Sequence, residues 1–126
     1  MHVYAIDHIQ LALPPHQEAR ARAFYAGILG LRETPKPPHL AQRGGVWFAQ
    51  GAVNIHLGVD HDFRPAKKAH LALLVDGLAA LIQGCEQARY PVVTDEPLAG
   101  YHRVYVADPF GNRIELMERV EQAGSP

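Results

Sequence analysis

The sequence has a single cysteine, no long apolar segment and almost no net charge, and each of these facts excludes a class of protein. Because Cys85 is the only thiol, no disulfide can form within the chain, and a reducing cytoplasm is the expected location. No apolar run approaches the roughly 18 residues that cross a bilayer, and Met1 leads directly into strand-like sequence, so neither a membrane span nor a signal peptide is expected. The formal net charge of −1 gives no indication of a nucleic-acid or membrane partner.

The composition is otherwise that of an ordinary globular protein with an excess of histidine. The chain is 48% hydrophobic and 20% charged, and its 126 residues fit one compact domain or two small modules that share a core. It contains eight histidines, so position must separate surface histidines from candidate ligands.

A strand with a histidine at its second position occurs twice. The first copy is the segment DHIQLAL from Asp7 to Leu13, and the second is AHLALLV from Ala69 to Val75. A later strand follows each copy and carries another possible metal ligand, His56 after 48 residues (8 to 56) and Glu115 after 45 residues (70 to 115). The repeat predicts an α+β fold made of two βαβββ modules paired into curved sheets.

The module boundaries follow from turn residues and apolar spacing. Module one is predicted over about residues 3–59, a linker over 60–68, module two over about 69–118 and a polar tail over 119–126, all within one domain. In module one we expect a strand over 3–13, a helix over 16–29 that ends at Gly30, a loop around a short strand over 35–43, and a hairpin of residues 44–50 and 53–59. In module two we expect a strand over 70–75, a helix from the N-cap Asp76 to about Arg89, a short strand at 92–93, and a hairpin of residues 101–107 and 112–118.

Strand parity indicates which side chains share a surface. In the strand 53–59 the apolar residues alternate with His56, and in the last strand they alternate with Glu115. Each candidate ligand therefore lies opposite the stripe that packs on its module's helix. If the first and last strands of each module are neighbours and the modules are related by pseudo-twofold symmetry, His8, His56, His70 and Glu115 converge on one point. Three imidazoles and one carboxylate suit a divalent ion such as Zn, Ni, Co, Mn or Fe(II).

A histidine taken alone is more often a hydrogen-bonded residue at a sheet surface than a metal ligand. That explanation would be needed four times here, at repeat-equivalent positions, so the metal site is favoured. The other five histidines have no such pattern and are interpreted as surface or loop residues: His2, His16, His39, His61 and His102.

Several motifs resemble those of the vicinal oxygen chelate superfamily, which includes glyoxalase I, methylmalonyl-CoA epimerase, fosfomycin-resistance proteins, extradiol dioxygenases and bleomycin-resistance proteins. The resemblance covers residues 4–119 and is most specific in DPFGNRIEL, residues 108–116, where an Asp-Pro-x-Gly hairpin leads into Ile-Glu. It also includes Asp7-His8-Ile9, the pair Phe24-Tyr25 followed by Leu29-Gly30-Leu31, and the strand that carries His70. The resemblance implies paired βαβββ modules with one metal held by His8, His56, His70 and Glu115.

The chain departs from the family pattern at His56. Glyoxalase I has a glutamate at this position and the epimerase a glutamine, so only Glu115 remains as a metal-bound base. Fosfomycin-resistance proteins usually have a threonine where this chain has Gln10. Extradiol dioxygenases use a ligand set that His8, His70 and Glu115 match, although His56 would then occupy an open site. Bleomycin-binding members mostly have no ligands at these positions.

Three further residues are predicted to contact substrate. Arg103 and Tyr105 share a strand face opposite Val104 and Val106, so they line the metal cavity if the valines pack on the helix. A phenol and a guanidinium there would hold an anionic or oxygen-rich molecule, although an edge-strand arginine facing solvent is an alternative. Trp47 is the counterpart of Tyr105 in module one, or else a core tryptophan.

The sequence therefore predicts a metal-dependent, glyoxalase-like lyase or isomerase acting on a small, oxygen-rich substrate chelated to a divalent metal. The resemblance implies Glu115 as the catalytic proton-transfer group and a homodimer as the assembly. The alternatives are an extradiol-type ring-cleaving dioxygenase and a non-catalytic protein that binds a small molecule such as a bleomycin-type antibiotic.

Overall fold

The computed structural model describes residues 1–121, and the chain folds into two compact units. The first unit is residues 1–65 and the second begins at Ala66, so the division lies inside the predicted linker 60–68. The predicted tail 119–126 lies partly outside the described residues, which end at residue 121. Among the described helices none has both the length and the apolar character required to cross a membrane.

The first unit is a four-stranded mixed sheet with two helices. Its elements in chain order are β1 (Ile9–Leu13), α1 (Glu18–Tyr25), β2 (Arg32–Thr34), α2 (Pro38–Ala41), β3 (Val46–Gln50) and β4 (Val53–Val59). The strand order is β1-β4-β3-β2, in which β1 is parallel to β4 and the other pairs are antiparallel. The first and last strands of the unit are therefore neighbours, as the predicted site requires.

The second unit repeats this topology with one helix. Its elements are β5 (Leu71–Leu74), α3 (Leu78–Gln87), β6 (Val92–Val93), β7 (Tyr101–Ala107) and β8 (Arg113–Arg119). The strand order is β5-β8-β7-β6, again with the first and last strands parallel and adjacent. The predicted α+β class with a duplicated βαβββ unit is confirmed, although the first unit inserts the short helix α2.

The core of the first unit lies between α1 and its sheet. Phe24 and Tyr25 are fully buried, and the Tyr25 ring stacks on Phe48 of β3 at a centroid distance of 5.5 Å. After the helix, Gly30 takes a positive φ of 75°, and the Leu31 N–H donates to the Tyr25 carbonyl at 3.0 Å. The helix is shorter than the predicted 16–29, since α1 ends at Tyr25 with Ala26 as a right-handed C-cap, and Gly30 lies in the turn that leads into β2. Ala19 and Ala23 of the same helix are exposed and lie outside this core.

The core of the second unit lies between α3 and β7–β8. Leu78 and Cys85 of the helix are buried, as are Ile114 and Leu116 of β8. The prediction that Asp76 caps the helix was wrong, because the N-cap is Gly77, with a φ of 73°. The chain must enter the left-handed region directly before Leu78, and glycine does so without steric cost.

The first strand is shorter than predicted, because residues 3–8 lie outside it. The parallel ladder pairs Ile9 with Ile55, and β4 begins at Val53, so little of β4 remains for earlier residues to pair with. As a result Val3 and Ile6 are exposed. The predicted loop over 35–43 contains α2, and the short strand lies before it, at β2.

Candidate functional site

The two predicted ligands of the first unit share a face of its sheet. His56 lies in β4 and pairs with Gln10 of β1, and His8 stands two residues before Gln10. Residues two apart along an extended chain point to the same side, so His8 and His56 project together. Their side chains are on the side opposite the buried Ile55 and Leu57.

The two predicted ligands of the second unit have the same arrangement. Glu115 lies in β8 and pairs with Ala72 of β5, and His70 stands two residues before Ala72. The offset of two residues between the histidine and the partner of the second ligand is thus identical in both units. The repeat found in the sequence is also a repeat of the strand register.

In the first unit the ligand face carries a stack of three aromatic rings. The His56 ring lies between His8, at a centroid distance of 4.2 Å and an interplanar angle of 18°, and Trp47, at 4.0 Å and 6°. Trp47 belongs to β3 and is the direct cross-strand partner of His56. Stacking fixes the planes of both imidazoles and covers ring faces, so their nitrogen atoms are not blocked by the stacking.

Asp7 orients His8 from the neighbouring position in the chain. Its Oδ2 atom lies 2.9 Å from His8 Nδ1, which leaves Nε2 as the nitrogen of His8 that can bind another group. Burial lowers the pKa of His56, and the nearby His8 and Lys36 side chains lower it further, against an opposing effect of Asp7. His56 is therefore a neutral imidazole near pH 7, which is the form that binds metal ions.

A cavity of about 670 Å³ opens beside this stack. His8, Trp47 and His56 form one part of its lining, and the remainder includes Thr34 and Leu40. The first unit therefore presents two imidazoles and an indole to a space large enough for a small molecule.

In the second unit His70 and Glu115 form a close pair. His70 Nε2 lies 3.0 Å from Glu115 Oε1, and the side chain of Glu115 is only 7% exposed. The second carboxylate oxygen, Oε2, accepts a hydrogen bond from Arg103 Nη1 at 3.1 Å. Burial alone would raise the pKa of Glu115, but the hydrogen bonds from His70 and Arg103 outweigh it and hold the pKa below its ordinary value. Glu115 is thus a carboxylate at neutral pH.

Both ring nitrogens of His70 face oxygen atoms. Nδ1 lies 3.1 Å from the carbonyl oxygen of Lys68, which can only accept, so Nδ1 carries a proton. Nε2 faces Oε1 of the Glu115 carboxylate, so both nitrogens of the ring are in hydrogen-bond contact with oxygen atoms. The separation of 3.0 Å is that of an ordinary hydrogen bond, and it also leaves the two atoms close enough to bind one ion together.

Arg103 and Tyr105 complete the polar face of the second unit, as parity predicted. Arg103 Nη1 donates to the Tyr105 hydroxyl at 3.1 Å, and Nη2 donates to the carbonyl of Glu96 at 2.7 Å. The Tyr105 ring meets His70 edge-on at a centroid distance of 5.4 Å. Arg103 is therefore a fixed cation behind the Glu115 carboxylate rather than a solvent-facing arginine.

The structure thus brings the seven predicted site residues together in two groups, one in each unit. The first group is His8, Trp47 and His56, and the second is His70, Arg103, Tyr105 and Glu115. Within residues 1–121 no group of three or more His, Cys, Asp or Glu side chains is close enough to hold a metal ion. Sequence reasoning missed the role of Asp7, for which the only signal was its position next to His8.

Known structures share the fold of the chain over nearly its whole length. A protein assigned to the glyoxalase family from Bacillus anthracis is 43% identical, with 95% of this chain and 98% of that chain covered and a TM-score of 0.88. The fosfomycin resistance protein FosX from Listeria monocytogenes is 13% identical, with 96% and 95% covered and a TM-score of 0.73. A glyoxalase/dioxygenase from Nostoc punctiforme is 21% identical, with 96% and 99% covered and a TM-score of 0.72.

The similarity to the Listeria and Nostoc proteins, at 13% and 21% identity, shows a shared fold alone. A comparison with curated protein sequences finds no match. A family model described as the Glyoxalase/Bleomycin resistance protein/Dioxygenase superfamily matches residues 5–116, which include all the predicted ligands. The chain belongs to the Glyoxalase/Bleomycin resistance protein/Dioxygenase superfamily.

Proposed function

We propose that the protein is a metal-dependent, glyoxalase-like lyase or isomerase that acts on a small, oxygen-rich substrate. In this proposal His8, His56, His70 and Glu115 bind one divalent ion, of Zn, Ni, Co, Mn or Fe(II). The observation that carries it is the His70–Glu115 pair, an imidazole and a carboxylate whose facing atoms lie 3.0 Å apart, close enough for both to bind one ion in place of the proton they share. The 43% identity to a protein assigned to the glyoxalase family is consistent with this proposal.

A divalent ion held by these residues would supply Lewis-acid polarisation of a substrate oxygen. Glu115 is the proposed catalytic group for proton transfer, because it is a buried carboxylate whose Oε2 is fixed by Arg103. The Tyr105 hydroxyl accepts its hydrogen bond from Arg103, so its own proton is available to donate to a substrate oxygen. Trp47 forms an apolar wall against which a substrate would lie.

A second candidate is an extradiol-type dioxygenase, and the histidine hydrogen bonds favour it. Nδ1 of His8 and Nδ1 of His70 are each held by an oxygen atom, a contact that commonly orients metal-binding histidines. No hydrogen bond reaches the ring nitrogens of His56 from any residue of the described chain, 1–121, and both faces of its ring are stacked. His8, His70 and Glu115 would then form the two-histidine, one-carboxylate set, with His56 as part of the cavity wall.

Metal binding tests the proposal. The chain is stripped with a chelator and titrated calorimetrically with each of the five ions, and we expect one ion per chain. Loss of one ligand in His8→Ala, His70→Ala or Glu115→Gln should weaken binding by roughly 10- to 100-fold or more. The matched control is His102→Ala, since His102 is an exposed histidine of β7 and should leave the affinity unchanged. The enzyme proposal fails if no ion binds the native chain more tightly than it binds His8→Ala.

His56→Phe separates the two reaction types, because phenylalanine keeps the stacking with His8 and Trp47 but offers no nitrogen. Weakened binding of Ni, Co or Zn would support the four-ligand site of a lyase or isomerase. Unchanged affinity for Fe(II), with oxygen uptake in the presence of a catechol, would support the dioxygenase. Tight binding of a small aromatic or cationic molecule without any metal would instead support a non-catalytic binding protein.

We also propose that the protein is a homodimer. The exposed apolar side chains of Val3, Tyr4 and Ile6 support this, since a second copy would remove them from water. Light scattering at micromolar concentration should give a mass close to twice that of one chain. A mass equal to one chain would contradict the proposed dimer.

A further inference from the structure

A cavity of about 320 Å³ lies within the second unit, on the face that carries Tyr105 and Arg113. Its floor is largely apolar and includes Val93 and Val106, whereas Lys67 and Arg113 supply two cationic side chains. No acidic side chain is among the residues that line it. We call this space the Lys67–Arg113 cavity.

Arg113 is held in place without a carboxylate partner. Its guanidinium carbon lies 3.7 Å from the centroid of the Tyr105 ring, a close cation–π contact. Among the residues that the structure describes, neither Arg113 nor Lys67 forms a salt bridge, whereas Arg103 is paired with Glu115. The donors of Arg113 are therefore free to bind an anion, and ring stacking reduces the entropy lost when they do so.

Tyr105 connects this cavity to the donor pair of the same unit. One face of its ring carries Arg113, its edge meets His70 at 5.4 Å, and its hydroxyl accepts from Arg103. A molecule in the cavity therefore contacts the same side chain that the proposed reaction centre uses.

We infer that the Lys67–Arg113 cavity binds a carboxylate group of the substrate, with the short carbon skeleton of that substrate against Val93, Val106 and Tyr105. This inference rests on the proposed function in one respect, that the bound molecule is the substrate. Two cations above an apolar floor recognise a monoanion with an apolar body, because a carboxylate accepts bidentate bonds from a guanidinium. The volume lies at the lower end of the roughly 300–1,000 Å³ of small-molecule pockets, so the substrate is small.

Binding of benzoate to the full-length, metal-free chain tests the inference. The protein is titrated in EDTA at low ionic strength and followed by amide chemical shifts. Benzoate should shift the amides of residues 93, 105–107 and 111–113. Benzamide, which has the same shape without the charge, should bind at least about tenfold more weakly, as expected when a charge-assisted pair is lost. Inorganic phosphate in a third titration shows whether the cavity requires the apolar body or accepts any anion.

The variants Lys67→Met and Arg113→Gln should each weaken benzoate binding by about fivefold or more. Arg113→Lys, which keeps the charge but not the fork of donors, should recover part of the loss. The matched control is Lys68→Met, because Lys68 is the exposed neighbour of Lys67 and does not line the cavity. Equal binding of benzamide and benzoate, tighter binding of phosphate than of benzoate, or benzoate binding that the two variants leave unchanged would overturn the inference.

The outcome is separate from that of the metal proposal, since no metal is present in these titrations. Loss of metal binding with intact benzoate binding would refute the proposed reaction and leave the anion subsite standing. Loss of benzoate binding with intact metal binding would refute the anion subsite and leave the proposed reaction standing.

Discussion

Trp47 and Tyr105 occupy the same position in the two strand ladders, the first directly opposite His56 and the second directly opposite Glu115. Each aromatic ring also contacts a predicted ligand of its own unit, since Trp47 stacks on His56 and Tyr105 meets His70 edge-on. The duplication has thus preserved an aromatic residue beside the donor pair in both copies. What differs is the chemistry that surrounds it.

The second unit concentrates charge where the first places aromatic rings. Glu115 is held between His70 and Arg103, whereas His56 is held between two ring faces. A carboxylate fixed by a guanidinium can take part in proton transfer, and a stacked neutral imidazole binds or orients. If the proposed reaction takes place, substitutions in the second unit should therefore lower its rate more than matched substitutions in the first.

Replacing Glu115 with glutamine should lower the free energy of unfolding, because it leaves the Arg103 guanidinium without its charged partner. Chemical denaturation of the metal-free protein gives this value. The control is Glu33→Gln, which breaks the Arg22–Glu33 pair at the surface and should cost about 0–1 kcal/mol. Equal losses in the two variants would mean that the Glu115 pair is energetically an ordinary surface pair.

Replacing Asp108 with alanine should lower the free energy of unfolding by about 3 kcal/mol. Its Oδ1 accepts from the Phe110 and Asn112 backbone N–H groups at 2.9 and 2.8 Å, and its Oδ2 accepts from Asn112 Nδ2. The residue is 3% exposed, so water cannot replace these bonds. Asp60→Ala, which removes one exposed bond to the Asp62 N–H, should cost about 1 kcal/mol or less. Denaturant melts of both variants compare the two losses.

The order of elements could be predicted from the sequence because alternation and helical spacing were unambiguous in most segments. The pairing of β1 with β4 and of β5 with β8 was inferred only as a condition for the ligands to meet. Sequence patterns failed to place a helix terminus where the backbone conformation of a single residue determines it. The N-cap of α3 is Gly77 rather than Asp76, because the chain needs a left-handed residue there, whereas N-cap propensity alone favours the aspartate.

Strand parity predicted which side chains of the candidate site share a face of the sheet, but not their contacts with one another. Parity placed Arg103, Tyr105 and Glu115 on one face, and the hydrogen bonds among them agree with that placement. It could not show that Arg113 lies over the Tyr105 ring, since cation–π contacts depend on side-chain torsions that a strand pattern does not specify. The sequence pattern also gave no indication that Lys67, within the predicted linker 60–68, lines a cavity.

Cys85 should resist alkylation in the folded protein. Its side chain is fully buried against the sheet, and burial raises the pKa of the thiol, so little thiolate forms at pH 8. Iodoacetamide treatment followed by mass measurement should show an unmodified chain under native conditions and one adduct in denaturant. Rapid modification of the native chain would show that α3 opens far more often than its packing implies.

Glu18 should contribute stability that disappears in acid. Its Oε2 accepts a hydrogen bond from the Gly45 N–H at 2.9 Å, and this bond, against an opposing effect of burial, lowers the pKa of the carboxyl group. Because the folded-state pKa lies below the unfolded value of roughly 4.3, the contribution is fully present above that value and is lost as the pH falls through the folded-state pKa.

The comparison of Glu18→Gln with the native chain tests this pH dependence. At pH 7 the variant should be less stable by about 1 kcal/mol, since a charge-assisted bond becomes a neutral one. The difference should shrink as the pH falls below the unfolded-state pKa of roughly 4.3 towards the lower folded-state pKa of Glu18. Urea denaturation at each pH measures it, with Glu86→Gln on the exposed face of α3 as the control. A difference that stays constant down to pH 3 would show that the amide disturbs packing and that the charge of Glu18 has no part in the bond to Gly45.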